Sequence, residues 1–151
     1  ISFNELKKKT YDILEIPTLD ELLNIYDDKN FLFLEIKGIF KKNVLLDLLD
    51  KIRPFKKIIL ISFWHKNLRN INQISKKIKI GASFDRYSSE YLIKLINELN
   101  LSCLVLNKRL IEDSLLNNLK IPKHYYTINN RKVFLKYKKS RSLIIEYKSI
   151  R

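Results

Sequence analysis

Apolar residues follow two alternating rhythms along the chain. Short, nearly continuous apolar runs cover 31–37, 58–63, 78–84, 101–107, 124–129 and 142–147. Between them, apolar side chains recur at three- and four-residue spacing, as on one face of a helix. Val44, Leu45, Leu48, Leu49 and Ile52 form one such stripe, Leu68, Ile71 and Ile74 a second, and Leu92, Leu95, Ile96 and Leu99 a third. Ile111, Leu115 and Leu119 predict a fourth helix, and Val133, Phe134 and Tyr137 a short last one. Ahead of the first strand, Ser2 with Glu5 and Thr18 with Glu21 both fit the capping box that opens a helix.

Regular alternation of buried strands with helices predicts a parallel sheet with helical crossovers. Two architectures fit, an open doubly wound sheet or part of a (β/α)8 barrel. A dinucleotide-binding sheet of the first kind needs a glycine-rich opening turn, and neither Gly38 nor Gly81 belongs to such a pattern. A barrel carries its working groups at strand carboxyl ends, which is where Glu35, Lys37, Ser62, Ser83, Asn107, Asn129 and Glu146 fall. The expectation is therefore an α/β fold: a partial TIM barrel of about six parallel strands, read as a single domain over residues 1–151. A full barrel takes ~250 residues, so the first two strands are expected to be missing. The chain also begins with Ile1 and contains no Met, which reads as a sequence without its own beginning.

Composition removes several classes. No apolar run approaches the ~20 residues of a membrane helix, and no secretory signal is visible. Cys103 is the single cysteine, so no intramolecular disulfide forms, and with His65 and His124 it makes no zinc-type cluster. The formal charge of +14 suggests an anionic partner, but it is spread as −3 over residues 1–50, +8 over 51–100 and +9 over 101–151. Lysine outnumbers arginine 23 to 7, opposite to the preference of base-reading and bidentate phosphate contacts. The charge reads as a solvated lysine-rich surface, with no nucleic-acid partner expected.

The segment 31–37 is the most informative. With period two, Phe33, Glu35 and Lys37 share one face while Leu32, Leu34 and Ile36 face the helices. A carboxylate in so apolar a strand needs a partner. Two readings stay open: a Glu35–Lys37 ion pair, or a carboxylate ligand for a hard cation with the lysine beside an anionic oxygen. His65 reads as the solvent-side start of a helix, Cys103 as a core thiol, and His124 as a residue of the barrel's amino-terminal face.

Ile16-Pro17-Thr18-Leu19-Asp20-Glu21-Leu22-Leu23 followed by Leu34-Glu35-Ile36-Lys37 resembles the glycerophosphodiester phosphodiesterase family, in which an "IPTLEE" helix leads into a strand ending E-I-K. Ile61-Ser62-Phe63 resembles its "SF" strand end, Leu68-Arg69 the next helix, and Lys79-Ile80-Gly81 the following strand. Thr127-Ile128-Asn129 resembles the end of its "WTVN" strand, and Ile144-Ile145 stands where "IITD" would be. The resemblance implies a metal-dependent phosphoric diester hydrolase of lipid metabolism that gives glycerol 3-phosphate and an alcohol. It implies Glu35 as a ligand of a divalent cation, Ca or Mg, and Lys37 as the group stabilising phosphate. Ser62, Phe63 and Asn129 would line the substrate pocket. The family's H-R-G, its E-x-D pair and its second histidine have no counterpart here, so neither acid/base histidine is present. Tyr126 stands for the tryptophan of "WTVN", and Glu146-Tyr147 for "TD". Activity is thus expected of a whole protein in the cytoplasm acting on a small molecule, and not of these 151 residues alone. The oligomeric state is left open, as is a signal peptide ahead of Ile1. The alternative is a non-catalytic α/β module that binds anionic ligands through its lysines.

Overall fold

The computed structural model describes residues 16–146, so the Ser2–Glu5 capping box lies outside the described residues. The chain runs α1 (Leu19–Ile25), β1 (Leu32–Glu35), α2 (Lys42–Ile52), β2 (Ile58–Ser62), α3 (His65–Ile74), β3 (Ile80–Phe84), α4 (Ser89–Glu98) and β4 (Leu101–Asn107). It continues through a 3-10 turn (Lys108–Leu110), α5 (Ser114–Asn118), β5 (Lys123–Ile128), α6 (Arg131–Tyr137) and β6 (Ser142–Ile145). All neighbouring strands pair in parallel, in the order β1-β2-β3-β4-β5-β6.

Alternation along the strands sorts side chains into two layers. Leu32, Leu34, Ile36, Ile58, Leu60 and Leu104 pack with the helices in the larger core. Phe33, Ile59, Ile61, Cys103, Val105 and Tyr126 form a second cluster on the other face. That face is concave. The ring of Phe33 on β1 meets His124 on β5, centroids 4.9 Å apart, although four strand spacings of a flat sheet would put those strands about 19 Å apart. The sheet is curled as part of a barrel, not laid flat.

Local chemistry explains where elements begin. Thr18 and Glu21 close the capping box of α1, with Thr18 Oγ1 accepting from the Glu21 amide at 3.1 Å and Glu21 accepting from the Thr18 amide at 2.6 Å. Ser88, Asp113 and Asn130 cap α4, α5 and α6 through their side chains. The helix predicted from Ile111, Leu115 and Leu119 is not continuous. Asp113 restarts it, with its carboxylate accepting from the Leu116 amide at 3.0 Å, and Ile111 and Leu116 rather than Leu115 become the buried residues. Strand β1 is shorter than 31–37 because the chain turns at Gly38, whose φ of +81° lies in the left-handed region that favours glycine.

Among the described residues, β1 and β6 each pair on one side only. An outermost strand with unpaired backbone groups is a template for another chain, and Phe31, 58% exposed, stands beside β1. The charge of +14 opposes association, and salt screens it within about a Debye length of 8–10 Å. Light scattering across a salt series should show self-association rising with ionic strength, and Phe31→Lys should suppress it. A monomer at high salt would show that these edges are covered. Phe33 is the wrong place for that lysine, since it would put a charge against His124 in the concave face.

Candidate active site

The carboxyl ends of the strands form a polar mouth. Glu35 ends β1, and its carboxylate is paired with Lys37 Nζ at 2.9 Å. The Lys37 side chain is 80% exposed and that of Glu35 31%, so water screens the pair and its net worth is below about 1 kcal/mol. Lys37 is therefore easily drawn away to an anionic ligand. Phe63, just past β2, stands edge-on to Tyr126 of β5 with centroids 5.8 Å apart. Phe63 and Tyr126 thus wall one side of the mouth.

Asp85, next after β3, completes a network spanning three strands. Its Oδ1 accepts from Asn107 Nδ2 at 3.0 Å and from the Tyr126 hydroxyl at 2.8 Å. These two donors hold the Asp85 carboxyl below the usual carboxylate range. Burial, with Asp85 second, pushes the Tyr126 phenol well above its ordinary value, so it stays a donor.

The other two predicted pocket residues are placed differently. Asn129 follows β5 and accepts a hydrogen bond from Lys108 Nζ. Ser62 is fully buried and sits in the same alternation as Leu60, toward the helices. Its hydroxyl donates to the Ile36 carbonyl at 2.8 Å and accepts from the Trp64 amide at 3.0 Å. It ties the ends of β1 and β2 together and does not face the mouth.

His65 opens α3, as its position in the sequence suggested, but its ring turns inward rather than to solvent. Nδ1 bonds the Tyr91 hydroxyl at 2.9 Å, Nε2 bonds the Ser83 carbonyl at 3.1 Å, and the ring packs on Phe84 with centroids 4.6 Å apart. With both nitrogens engaged, it has none left for a substrate proton. His124 bonds Ser142 Oγ at 2.8 Å near the start of β5, away from the mouth. Cys103 is buried, and burial pushes its thiol up to about 11.

Burial lowers the pKa of both histidines below the ordinary 6.5. The unfolded chain therefore takes up protons on these rings at a higher pH than the folded chain does. Stability from this source is complete above 6.5 and is lost as the pH falls through that value toward the depressed folded values. The urea midpoint should be lower at about pH 5.5 than at about pH 7.5, with the difference reduced in His65→Gln. An unchanged midpoint would show that the rings are hydrated in the folded state.

A hard divalent cation takes about six to eight oxygen ligands, several of them carboxylates. Among the described residues, no group of three or more histidine, cysteine, aspartate or glutamate side chains is placed to hold a metal ion. Glu35 offers one carboxylate, already paired, and Asp85 is engaged by two donors. The described residues do not by themselves fit such a cation.

A cavity of about 360 Å³ opens beside the mouth between the ends of β2 and β3. A larger one of about 680 Å³ lies at the opposite end of the strands, between the last turns of α2 and α3. Of the residues of the mouth, Phe63 and Asp85 line the smaller.

Fold and placement together define a partial parallel β/α barrel with its polar groups gathered at the strand carboxyl ends. Solved structures share this fold. A glycerophosphodiester phosphodiesterase from Thermotoga maritima superposes with a TM-score of 0.75 at 20% identity, covering 95% of this chain and 65% of that one. One from Parabacteroides distasonis gives 0.69 at 16%, covering 95% and 66%. A phosphodiesterase from Oleispira antarctica, solved with its product sn-glycerol-3-phosphate, gives 0.72 at 17%, covering 86% and 57%. This chain thus spans about two thirds or less of their length, and the likeness is one of fold. No family model and no curated protein matches the sequence. Among the described residues no helix is long and apolar enough to cross a membrane.

Proposed function

We propose that this half-barrel is the phosphate- and alcohol-binding part of a phosphoric diester hydrolase that cleaves glycerophosphodiesters to glycerol 3-phosphate and an alcohol. The observation that carries the reading is the exposed Glu35–Lys37 pair at the end of β1, in a fold shared with glycerophosphodiester phosphodiesterases. Lys37 leaves Glu35 to meet a phosphoryl oxygen, where its charge stabilises the negative charge that grows as the P–O bond breaks. Phe63 and Tyr126 wall the site, and Asn129 with Lys108 forms its far rim. A Ca or Mg requirement, with Glu35 as one ligand, belongs to this reading only with ligands beyond the described residues. The described histidines are both hydrogen-bonded elsewhere, so this chain alone is expected to bind and not to turn over.

Phosphorus NMR titration with glycerol 3-phosphate tests the reading. Lys37→Ala should weaken binding by at least about tenfold, as for loss of a charge-assisted hydrogen bond. Lys76→Ala with Lys77→Ala should leave it unchanged. Equal losses in the two variants would support a diffuse lysine-rich anion-binding surface instead. Measurable diester turnover by the 151-residue chain would overturn the division of roles.

A further inference from the structure

The fold sorts charge between the two ends of the barrel. Among the described residues, the loops that lead into β1 to β6 carry eleven basic side chains and two acidic ones. The segments that leave β1 to β5 at the mouth, the 3-10 turn included, carry five basic and three acidic. Lysines that look scattered along the sequence are thus gathered at the end opposite the mouth. Both acids there are engaged: Asp27 pairs with Lys29 Nζ at 3.1 Å, and Asp28 accepts from the amides of Lys56 and Lys57 at 2.9 and 2.7 Å. Lys57 Nζ donates to the Lys29 carbonyl at 2.6 Å and Lys79 Nζ to the Lys56 carbonyl at 2.8 Å. The entry loops of β1, β2 and β3 are therefore tied into one basic platform.

Apolar surface lies among these charges. Ile25, at the end of α1, is 82% exposed, and Phe31 stands out beside Lys79, whose Nζ lies 5.2 Å from the ring centroid. The cavity of about 680 Å³ opens at this same end, with Leu49, Ile52, Phe55 and Ile74 on its wall and Lys56, Lys77 and Lys79 around it. Asp50, the acid among its lining residues, is already paired with Arg53 at 2.6 Å.

We infer that this end of the barrel docks on an anionic lipid bilayer. Clustered basic side chains are drawn to the negative surface of such a membrane, and exposed apolar groups among them enter the boundary between headgroups and acyl chains. Phe31 and Ile25 are the groups that enter, while the long stems of the lysines lie along the apolar boundary with their charges at the headgroups. The cleft, apolar inside and basic at its rim, matches an anionic headgroup with its chain attached. Nucleic acid is the poorer partner. Nine of the eleven basic groups are lysines, which lack the planar fork that grips phosphates in pairs, and a polyanion gains little from exposed Ile25. Docked in this way, the mouth faces water and takes its ligand from solution. The inference does not depend on which ligand that is.

Co-sedimentation of the 151-residue chain with vesicles tests it. Phosphatidylcholine vesicles with about one third phosphatidylserine should retain the chain, and pure phosphatidylcholine should not. Raising salt from about 0.05 to about 0.2 M should weaken binding at least about tenfold, opposite in direction to self-association at the strand edges. Lys56→Glu with Lys77→Glu should also weaken it at least about tenfold, and Phe31→Ser about three- to tenfold. Lys41→Glu with Arg109→Glu makes the same change of net charge at the mouth and should weaken it less than about threefold. Thermal unfolding confirms that each variant folds. Trp64, the only tryptophan and 51% exposed just past β2, should stay open to acrylamide on the vesicle. No retention, equal losses in the two charge-reversed pairs, binding unmoved by Phe31→Ser, or shielding of Trp64 would overturn the inference. Tighter binding of a mixed-sequence oligonucleotide, with Phe31→Ser unmoved on vesicles, would assign the face to nucleic acid instead.

Discussion

Replacing Gly81 by alanine should lower the urea midpoint by the equivalent of about 1–3 kcal/mol, the usual cost of forcing a methyl group into a packed interior. A Cβ at position 81 would stand 2.6 Å from Cys103 Sγ, 3.1 Å from Ile61 Cγ2 and 3.3 Å from the Cys103 carbonyl oxygen. Carbon contacts settle at about 3.5–4.0 Å, so something must move. Little can: Cys103 and Ile61 are buried together in the concave cluster, and Gly81 is paired with both of them across β2 and β4. Cys103→Ala in the same chain removes the nearest atom and should restore part of the loss, making the two substitutions non-additive. An unshifted midpoint for Gly81→Ala would mean that the concave face has spare room.

Asn67→Ala is the second large effect, again about 1–3 kcal/mol, because it strands two backbone groups at once. Asn67 is fully buried on α3. Its Oδ1 accepts from the Phe40 amide at 3.0 Å, and its Nδ2 donates to the Gly38 carbonyl at 2.7 Å. One side chain thus clamps the turn that follows Lys37. Its loss should destabilise the chain and also weaken phosphate binding, since the lysine would no longer leave β1 from a fixed turn. Amide exchange at Phe40 is the direct readout. Retained protection there, with an unchanged urea midpoint, would show that the turn holds its shape without Asn67.

Much of the architecture was legible because it is local. Each apolar run became a strand, 101–107 with its limits unchanged. The alternation of Phe33 against Leu32 and Leu34 assigned the two faces of β1 as they are found. Glu35 and Lys37 stand as an ion pair, one of the two readings that spacing allowed; the other, a ligand beside a phosphate-binding lysine, belongs to the proposed function. What stayed hidden depends on contacts distant in sequence. Asn67 looks like any polar residue on a helix until its partner 27 positions away is in place. Gly81 belongs to no motif, and its necessity appears only when Cys103 is laid against it. The Asp85–Asn107–Tyr126 network draws one residue from each of three strand ends. An acidic residue directly after an apolar strand was the one signal for it. Ser62 stood at the right end of its strand, but period two turns it to the helices.

The strictly sequential strand order also bears on how the chain folds. Each strand finds its partner in the next unit along, so pairing closes short loops and can spread from any neighbouring pair, as in repeat proteins. β2 and β3 are buried along their whole length, whereas β1 and β6 are partly open to water. Slow-exchanging amides should therefore concentrate in β2 to β4 and fade toward both ends. The Phe33–His124 contact joins β1 to β5 and has a longer loop to close than any pairing of neighbouring strands, so it belongs to a late step, in which a ribbon of stacked units bends into a trough.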